Sequence, residues 1–312
     1  MELIRGTSNL RNRHRGCVVT IGSFDGIHLG HQALIRHVAE AGARLRRRTM
    51  MVTFEPLPRE YLAPSNPPAR LTTLRERWRL LATLAQRAET RLDHLCVLRF
   101  DEPLRMLSGA QFTELLAREL RAATVVVGHD FRFGRNGAAT AEWLRATGER
   151  SGFPVEIVAP IMVGGERVSS SGVREALAAD DFARAGAWLG RPYSMRGRVI
   201  AGERLGRRLG YATANMRVGR RRAPLGGIFA VRVHGAGFAG RAGVASLGTR
   251  PTVNGTVPLL EAHVFDFSGD LYGRELEVEF VAKLRDEVRF GSLEALVEQM
   301  HRDAQDARRV LE

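Results

Sequence analysis

At 312 residues, with 44% apolar and 26% charged side chains, the chain has the composition of a globular protein large enough for one large domain or two ordinary ones. No apolar run approaches the roughly 20 residues of a membrane span, the Met-Glu-Leu-Ile-Arg start lacks a signal-peptide core, and Cys17 and Cys96 form no Cys-x-x-Cys pair, which argues against a disulfide scaffold or a cysteine zinc site. The net charge of +13 is nearly all arginine; Lys283 is the only lysine, so a P-loop NTPase is excluded and any phosphate must be held by arginine, backbone N–H groups, histidine or a metal ion.

The first predicted element is an apolar strand at 17–21. A glycine-rich turn follows, Gly22-Ser-Phe24-Asp25-Gly-Ile-His28-Leu-Gly30-His31, and then a helix with apolar spacing at Leu34, Ile35, Val38 and Ala39. Strand, turn and helix start bring backbone N–H groups and a positive dipole end to one point, which suits a phosphate. His28 and His31 lie three apart, so a first helical turn aims both at that point. Further strands are expected at 49–54, 94–98, 124–127 and 155–158, with helices near 31–47, 72–88, 109–121 and 137–150. Near-continuous apolar strands between helices imply a parallel sheet covered on both faces, with ligands beyond the carboxyl ends of its strands. The basic run Arg44–Arg48 reads as the last turn of a helix.

Beyond residue 185 the pattern changes to period two. Strands are expected at 228–233, 243–247, 259–265 and 276–281, with Asn254-Gly255 as a hairpin signal and a terminal helix from Ser292 to about Leu311. Short strands at this spacing suggest a small antiparallel barrel. The run Gly219-Arg-Arg-Arg222 reads as a solvated loop; like Arg44–Arg48 it lacks the interleaved aromatics of a stacking platform, so no nucleic-acid partner is expected. Alternation puts Glu261 and His263 on one strand face. The fold class is therefore α/β in residues 1–185, followed by an antiparallel β-barrel with a terminal helix in 186–312.

The decapeptide ending His28-Leu-Gly30-His31 resembles the HxGH nucleotidyltransferase superfamily, whose fold is Rossmann-like. Within it the sequence looks like the FMN adenylyltransferase module of bacterial bifunctional FAD synthetases. Val168-Ser-Ser170-Ser171-Gly-Val-Arg174, ahead of a helix expected from Glu175, is similar to that family's Ser-Ser-Thr-x-x-Arg motif, with Ser171 for threonine. The resemblance implies in-line attack of the FMN phosphate on the α-phosphorus of ATP, with His28 and His31 donating to the α-phosphoryl oxygens. It further implies that Gly22, Phe24, Asp25, Gly30, Ser170, Ser171 and Arg174 bind ATP. Asp130, in Gly128-His-Asp-Phe-Arg-Phe133-Gly134, and Phe54, in Thr53-Phe-Glu-Pro56, would meet the flavin.

The second half resembles the riboflavin kinase module of the same family. The segment Gly197–Gly202 through Leu209-Gly210-Tyr-Ala212-Thr213-Ala214-Asn215 matches a Pro-Thr-Ala-Asn signature, with Ala212 for proline; Thr213 and Asn215 inherit Mg²⁺ and ATP binding. Glu261, in a Glu-x-His…Asp-Phe…Asp-Leu-Tyr-Gly pattern, inherits the role of base for the riboflavin 5′-hydroxyl. Arg289 is a ligand-lining candidate, and Phe229 replaces a frequent tyrosine. The implied partners are riboflavin, FMN and ATP, with FAD as product, in a cytoplasmic enzyme without a membrane partner; oligomeric state has no sequence signal. Two alternatives stay open: an adenylyltransferase with a degenerate kinase half, and a basic nucleic-acid-binding or regulatory protein on this scaffold.

Overall fold

The computed structural model describes residues 1–201, 211–252 and 255–312. Gly202 to Gly210 and Asn254 of the motifs above lie outside them. The chain divides into two compact units, Met1–Pro68 with Arg77–Ser169, and Ala69–Glu76 with Ser170–Glu312.

The first unit is built on a six-stranded parallel sheet of β1 (Glu2–Arg5), β2 (Val18–Ile21), β3 (Thr49–Glu55), β4 (His94–Arg99), β5 (Thr124–Gly128) and β6 (Val155–Val158), in the order β1-β4-β3-β2-β5-β6. Every residue of β2 is buried, as a strand covered on both faces requires. Helix α1 (Leu29–Leu45) lays Val38 and Ala41 against Val18 and Val126, while the other face is closed by a larger cluster that includes Ile21, Phe112, Leu116 and Leu144. Helices α2 (Leu74–Leu84), α3 (Gly109–Glu114) and α4 (Ala141–Gly148) are shorter than their apolar spacing suggests. α3 passes into a π-helical turn over Leu115–Glu119, which extends the helical path without the α-helical register. Edge strand β1 is too short for its alternation to register, and pairing with β4 forms it.

In the second unit, α5 (Ser170–Ala178) and α6 (Phe182–Leu189) precede a closed barrel. Its strands are β7 (Ser194–Ile200), β8 (Thr213–Arg217), β9 (Gly227–Gly235), β10 (Phe238–Thr252), β11 (Gly255–Val264) and β12 (Glu275–Arg285), in the antiparallel order β7-β8-β11-β10-β9-β12. Ala236 and Gly237, both at positive φ (52° and 94°), turn β9 into β10, the twist a tight hairpin needs. Helix α7 (Leu293–Leu311) is capped by Ser292, whose hydroxyl accepts the Ala295 N–H, and Ala307 and Leu311 close over Ala230 and Phe265. The helix expected from Glu175 starts five residues earlier, so Ser170, Ser171 and Arg174 lie within α5 rather than before it.

The run Gly219–Arg222 is not uniformly solvated. Arg221 and Arg222 are exposed, but the Arg220 guanidinium is buried; it donates to Glu76 Oε2 (2.7 Å) and to the carbonyls of Arg70 and Leu71. Glu76 also accepts the Thr73 and Arg196 N–H groups, so this carboxylate ties segment 69–76 to the barrel unit. A buried arginine needs such a set of acceptors to offset its desolvation.

Candidate active sites

The turn after β2 brings the two expected histidines into contact. His28 is the N-cap of α1, and its Nδ1 accepts the His31 N–H at 3.4 Å. That bond occupies the Nδ1 lone pair, so a neutral His28 carries its proton on Nε2, as a donor. The rings stack at 3.6 Å between centroids, tilted by 21°. Gly30 makes room for this: a Cβ there would stand 3.1 Å from Cε1 and 3.2 Å from Nδ1 of His28. Phe24 and Ile27, both fully buried, hold positive φ (49° and 46°), a conformation that side chains of this size rarely adopt without support from their surroundings. Phe24 sets its ring edge-on to His31 at 5.1 Å, and Asp25 is buried beside it in sequence. Gly22 lies under the Phe24 ring, where a Cβ would meet it at 3.2 Å. Thus five expected residues, Gly22, Phe24, Gly30, His28 and His31, make one contiguous group at the carboxyl end of β2.

The expected flavin-side residues are held differently. Asp130, exposed beyond β5, accepts from Arg167 at 2.9 Å, and the same guanidinium lies 3.4 Å from His129 Nε2. Arg167 carried no motif signal; only the fold brings it to Asp130 from 37 residues away. Phe54 at the end of β3 is 8% exposed, edge-on to Phe100 within the core. In the second unit, Ser170, Ser171 and Arg174 are half-buried in the first turns of α5, and Arg174 Nε donates to the Ala69 carbonyl. Trp188 of α6 lies over Gly172, where any side chain would collide, and this fixes the start of α5.

In the barrel, the β8–β11 ladder sets Thr213 opposite His263 and Asn215 opposite Glu261. Asn215 Nδ2 lies 3.4 Å from Thr213 Oγ1, on the wall of a cavity of about 660 Å³ that also takes in Val199, Phe267, Asp270 and Tyr272. Glu261 does not line that cavity; it is half-buried one strand pairing away, between Asn215 of β8 and Ser246 of β10. Ser246 donates to Glu287 at 3.2 Å, which draws the segment carrying exposed Arg289 towards the same strands. His263 lies 3.0 Å from the Ala212 carbonyl through Nδ1, so a ring nitrogen holds the turn where the family motif has proline. A hydroxyl and a carboxamide on one cavity wall are hard oxygen donors, a set that fits a hydrated Mg²⁺.

A second histidine cluster lies elsewhere in the first unit. Glu2, His14 and His94 approach one another, with His14 Nε2 3.1 Å and His94 Nδ1 3.8 Å from Glu2 Oε2. His14 Nδ1 accepts the Arg11 N–H, so its Nε2–H donates to Glu2, which Arg13 also engages at 2.7 Å. Hydrogen bonds thus fix the His14 tautomer, and a metal ligand would need the opposite one there. Arg13 first, and His14 after it, hold the Glu2 carboxyl down at about 2. Burial lowers His94, and neighbouring His14 lowers it further. Burial also pushes the Cys17 thiol up to about 11 and that of Cys96 up to about 12, so neither is a nucleophile.

Comparison with known proteins covers both units. A family model described as FAD synthetase matches residues 10–172, and one described as riboflavin kinase matches 189–311. A bifunctional riboflavin kinase/FMN adenylyltransferase of Pseudomonas fluorescens is 44% identical over 99% of this chain and 97% of its own length. Its counterpart from Escherichia coli K12 is 42% identical over the same shares. A crystal structure described as a macrolide-efflux protein from Streptococcus pneumoniae superposes with a TM-score of 0.80 at 29% identity, covering 99% of each chain. Among the described residues, no helix is long and apolar enough to cross a membrane.

Proposed function

The chain belongs to the bacterial bifunctional riboflavin kinase/FMN adenylyltransferase family, and from that premise we propose how its residues divide the two reactions. The enzyme phosphorylates riboflavin with ATP to give FMN, then adenylylates FMN with a second ATP to give FAD and pyrophosphate. We assign adenylyl transfer to residues 1–185 and phosphorylation to 186–312, in a cytoplasmic protein where ATP is supplied.

In the adenylyl step, an FMN phosphate oxygen forms the bond to the α-phosphorus as the bond to the pyrophosphate oxygen breaks. His28 and His31 donate to the α-phosphoryl oxygens, where charge builds. Support comes from the His28 tautomer, which carries its proton on Nε2, and from the stacking that holds both rings in one orientation. Gly22, Phe24, Asp25 and Gly30 shape the ATP-binding turn. Ser170, Ser171 and Arg174 offer hydroxyls and a cation for the remaining phosphates, as their motif and their position in the first turns of α5 suggest. Asp130 and Phe54 take the flavin side, with Arg167 orienting the Asp130 carboxylate.

In the kinase step, Glu261 accepts the 5′-hydroxyl proton of riboflavin as that oxygen forms its bond to the γ-phosphorus of ATP and the bond from the γ-phosphorus to the bridging oxygen breaks, releasing ADP. Thr213 and Asn215 bind the ATP phosphates and would hold Mg²⁺ with their side-chain oxygens. When bound, that ion neutralises charge on the phosphates. Arg289 borders the flavin side. The observation that carries this reading is that the stacked histidine pair stands in one unit, while Asn215 and Glu261 are register partners on paired strands of the other, with Thr213 two residues from Asn215.

The test is to incubate purified protein with riboflavin, ATP and Mg²⁺ and to separate the flavins by chromatography. FMN and FAD should both appear. Glu261→Ala should stop FMN formation and spare FAD synthesis from supplied FMN; His31→Ala should do the reverse. FAD formed only from supplied FMN by the unmodified chain would overturn the kinase assignment.

A further inference from the structure

Arg77 lies in α2 with its side chain 1% exposed, an expensive place for a cation unless acceptors offset its desolvation. Acceptors for it come from the carboxyl end of β3 and from the turn just after β2. Nη1 donates to the Ser23 carbonyl (2.7 Å) and to Thr53 Oγ1 (2.8 Å), and Nη2 to Glu55 Oε2 (2.9 Å). The Thr53 hydroxyl donates to the same Ser23 carbonyl at 3.2 Å, so that one oxygen is gripped twice. Ser23 immediately precedes Phe24, whose backbone is held at positive φ and whose ring meets His31 edge-on. A short mechanical chain thus runs from the guanidinium through the Ser23 peptide and the Phe24 ring to the His31 imidazole.

We infer that Arg77 is a positioning residue for adenylyl transfer: it pins the Ser23 peptide, holds Phe24 in its left-handed conformation, and so fixes the His31 ring. The inference rests on the assignment of adenylyl transfer to the His28–His31 turn. Its planar fork matters, because three acceptors, one in the turn after β2 and two on β3, are met from one guanidinium, which the compact ammonium of lysine cannot reproduce.

The experiment compares Arg77→Met and Arg77→Lys with the unmodified chain in FAD synthesis from FMN, with riboflavin phosphorylation by the same preparation as an internal control of folding. Loss of His31 alignment should lower kcat for FAD synthesis in the methionine variant on the order of 10- to 100-fold, leaving KM for FMN and ATP within about threefold and phosphorylation unchanged. The lysine variant, which keeps charge and one or two donors, should recover part of the loss. Combining Arg77→Met with His31→Ala should cost no more than His31→Ala alone, because a residue that acts through His31 has nothing left to align.

An unchanged kcat, a loss confined to KM, equal loss of both activities, or additive losses in the double variant would each overturn the inference. If the methionine variant does not fold, the lysine variant is read by the same criteria: a fall in kcat confined to FAD synthesis supports the inference and any other pattern overturns it. Failure of the underlying assignment is distinguishable, since His31→Ala would then retain FAD synthesis whatever Arg77 does.

Discussion

At the scale of single residues, the histidine turn depends on what Gly30 lacks. The glycine has no need of a positive φ, and alanine is the better helix former at such a position. Gly30→Ala should therefore keep or raise the melting temperature, yet its new methyl, 3.1 Å from His28 Cε1, must shift the ring. The expected result is a loss of roughly tenfold in kcat for FAD synthesis with riboflavin phosphorylation intact, read by steady-state assays and a thermal melt on one preparation. Unchanged FAD synthesis would show that the His28 ring position is not critical. The sequence alone showed that the histidines converge, because spacing on a first helical turn fixes that. It did not show Arg77 or Arg167, since a single arginine in a helix or loop has no pattern; their partners Ser23, Thr53, Glu55 and Asp130 are adjacent only once the strands are aligned. Glu261 was legible only through the family motif, because strand alternation gives no reason for a glutamate to face Asn215 rather than solvent.

At the scale of elements, edge strand β1 is held by more than its ladder with β4. Glu2 on this strand joins Arg13, His14 and His94, and both of the perturbed groups titrate in the same sense. His94 lies below its ordinary 6.5, chiefly from burial, so the unfolded chain takes up its proton first and stability falls as pH drops below about that value. Glu2 is held down at about 2, chiefly by Arg13, so its contribution is complete above its ordinary 4.5 and is lost as pH falls from there towards 2. Denaturant midpoints should thus decline in two stages on acidification, and His94→Phe should remove the upper stage. A midpoint independent of pH between 7 and 5 in the unmodified protein would contradict this. The same region shows why some elements escaped the sequence: β1 has four residues and no alternation to count, and its existence depends on the distant β4. The Gly219–Arg222 run was misleading for a related reason. A charge run is ordinarily solvated, and the carboxylate that buries Arg220 lies 144 residues away. By contrast, β2 to β6 of the parallel sheet and the terminal helix were readable, because their apolar pattern comes from local burial on a regular element.

For the whole molecule, the decisive property is that one chain carries two sets of reacting groups that share an intermediate. The two matched regions, residues 10–172 and 189–311, do not overlap, and FMN is the product of one reaction and the substrate of the other. Each single-site variant should then retain one complete half: Glu261→Ala chains adenylylate FMN, and His31→Ala chains produce it. Mixed together with riboflavin, ATP and Mg²⁺, the two variants should make FAD although neither does so alone. FMN must accumulate in solution before the adenylylating chains can use it, so FAD should appear after a lag that shortens as total protein is raised. A mixture that accumulates FMN but no FAD, while the Glu261→Ala chains still adenylylate added FMN at that concentration, would mean that FMN does not leave the chain that makes it. A mixture inactive because each variant has lost both reactions would mean that the two sets of residues are one site, and the division of labour drawn from the histidine turn and the barrel glutamate would fall.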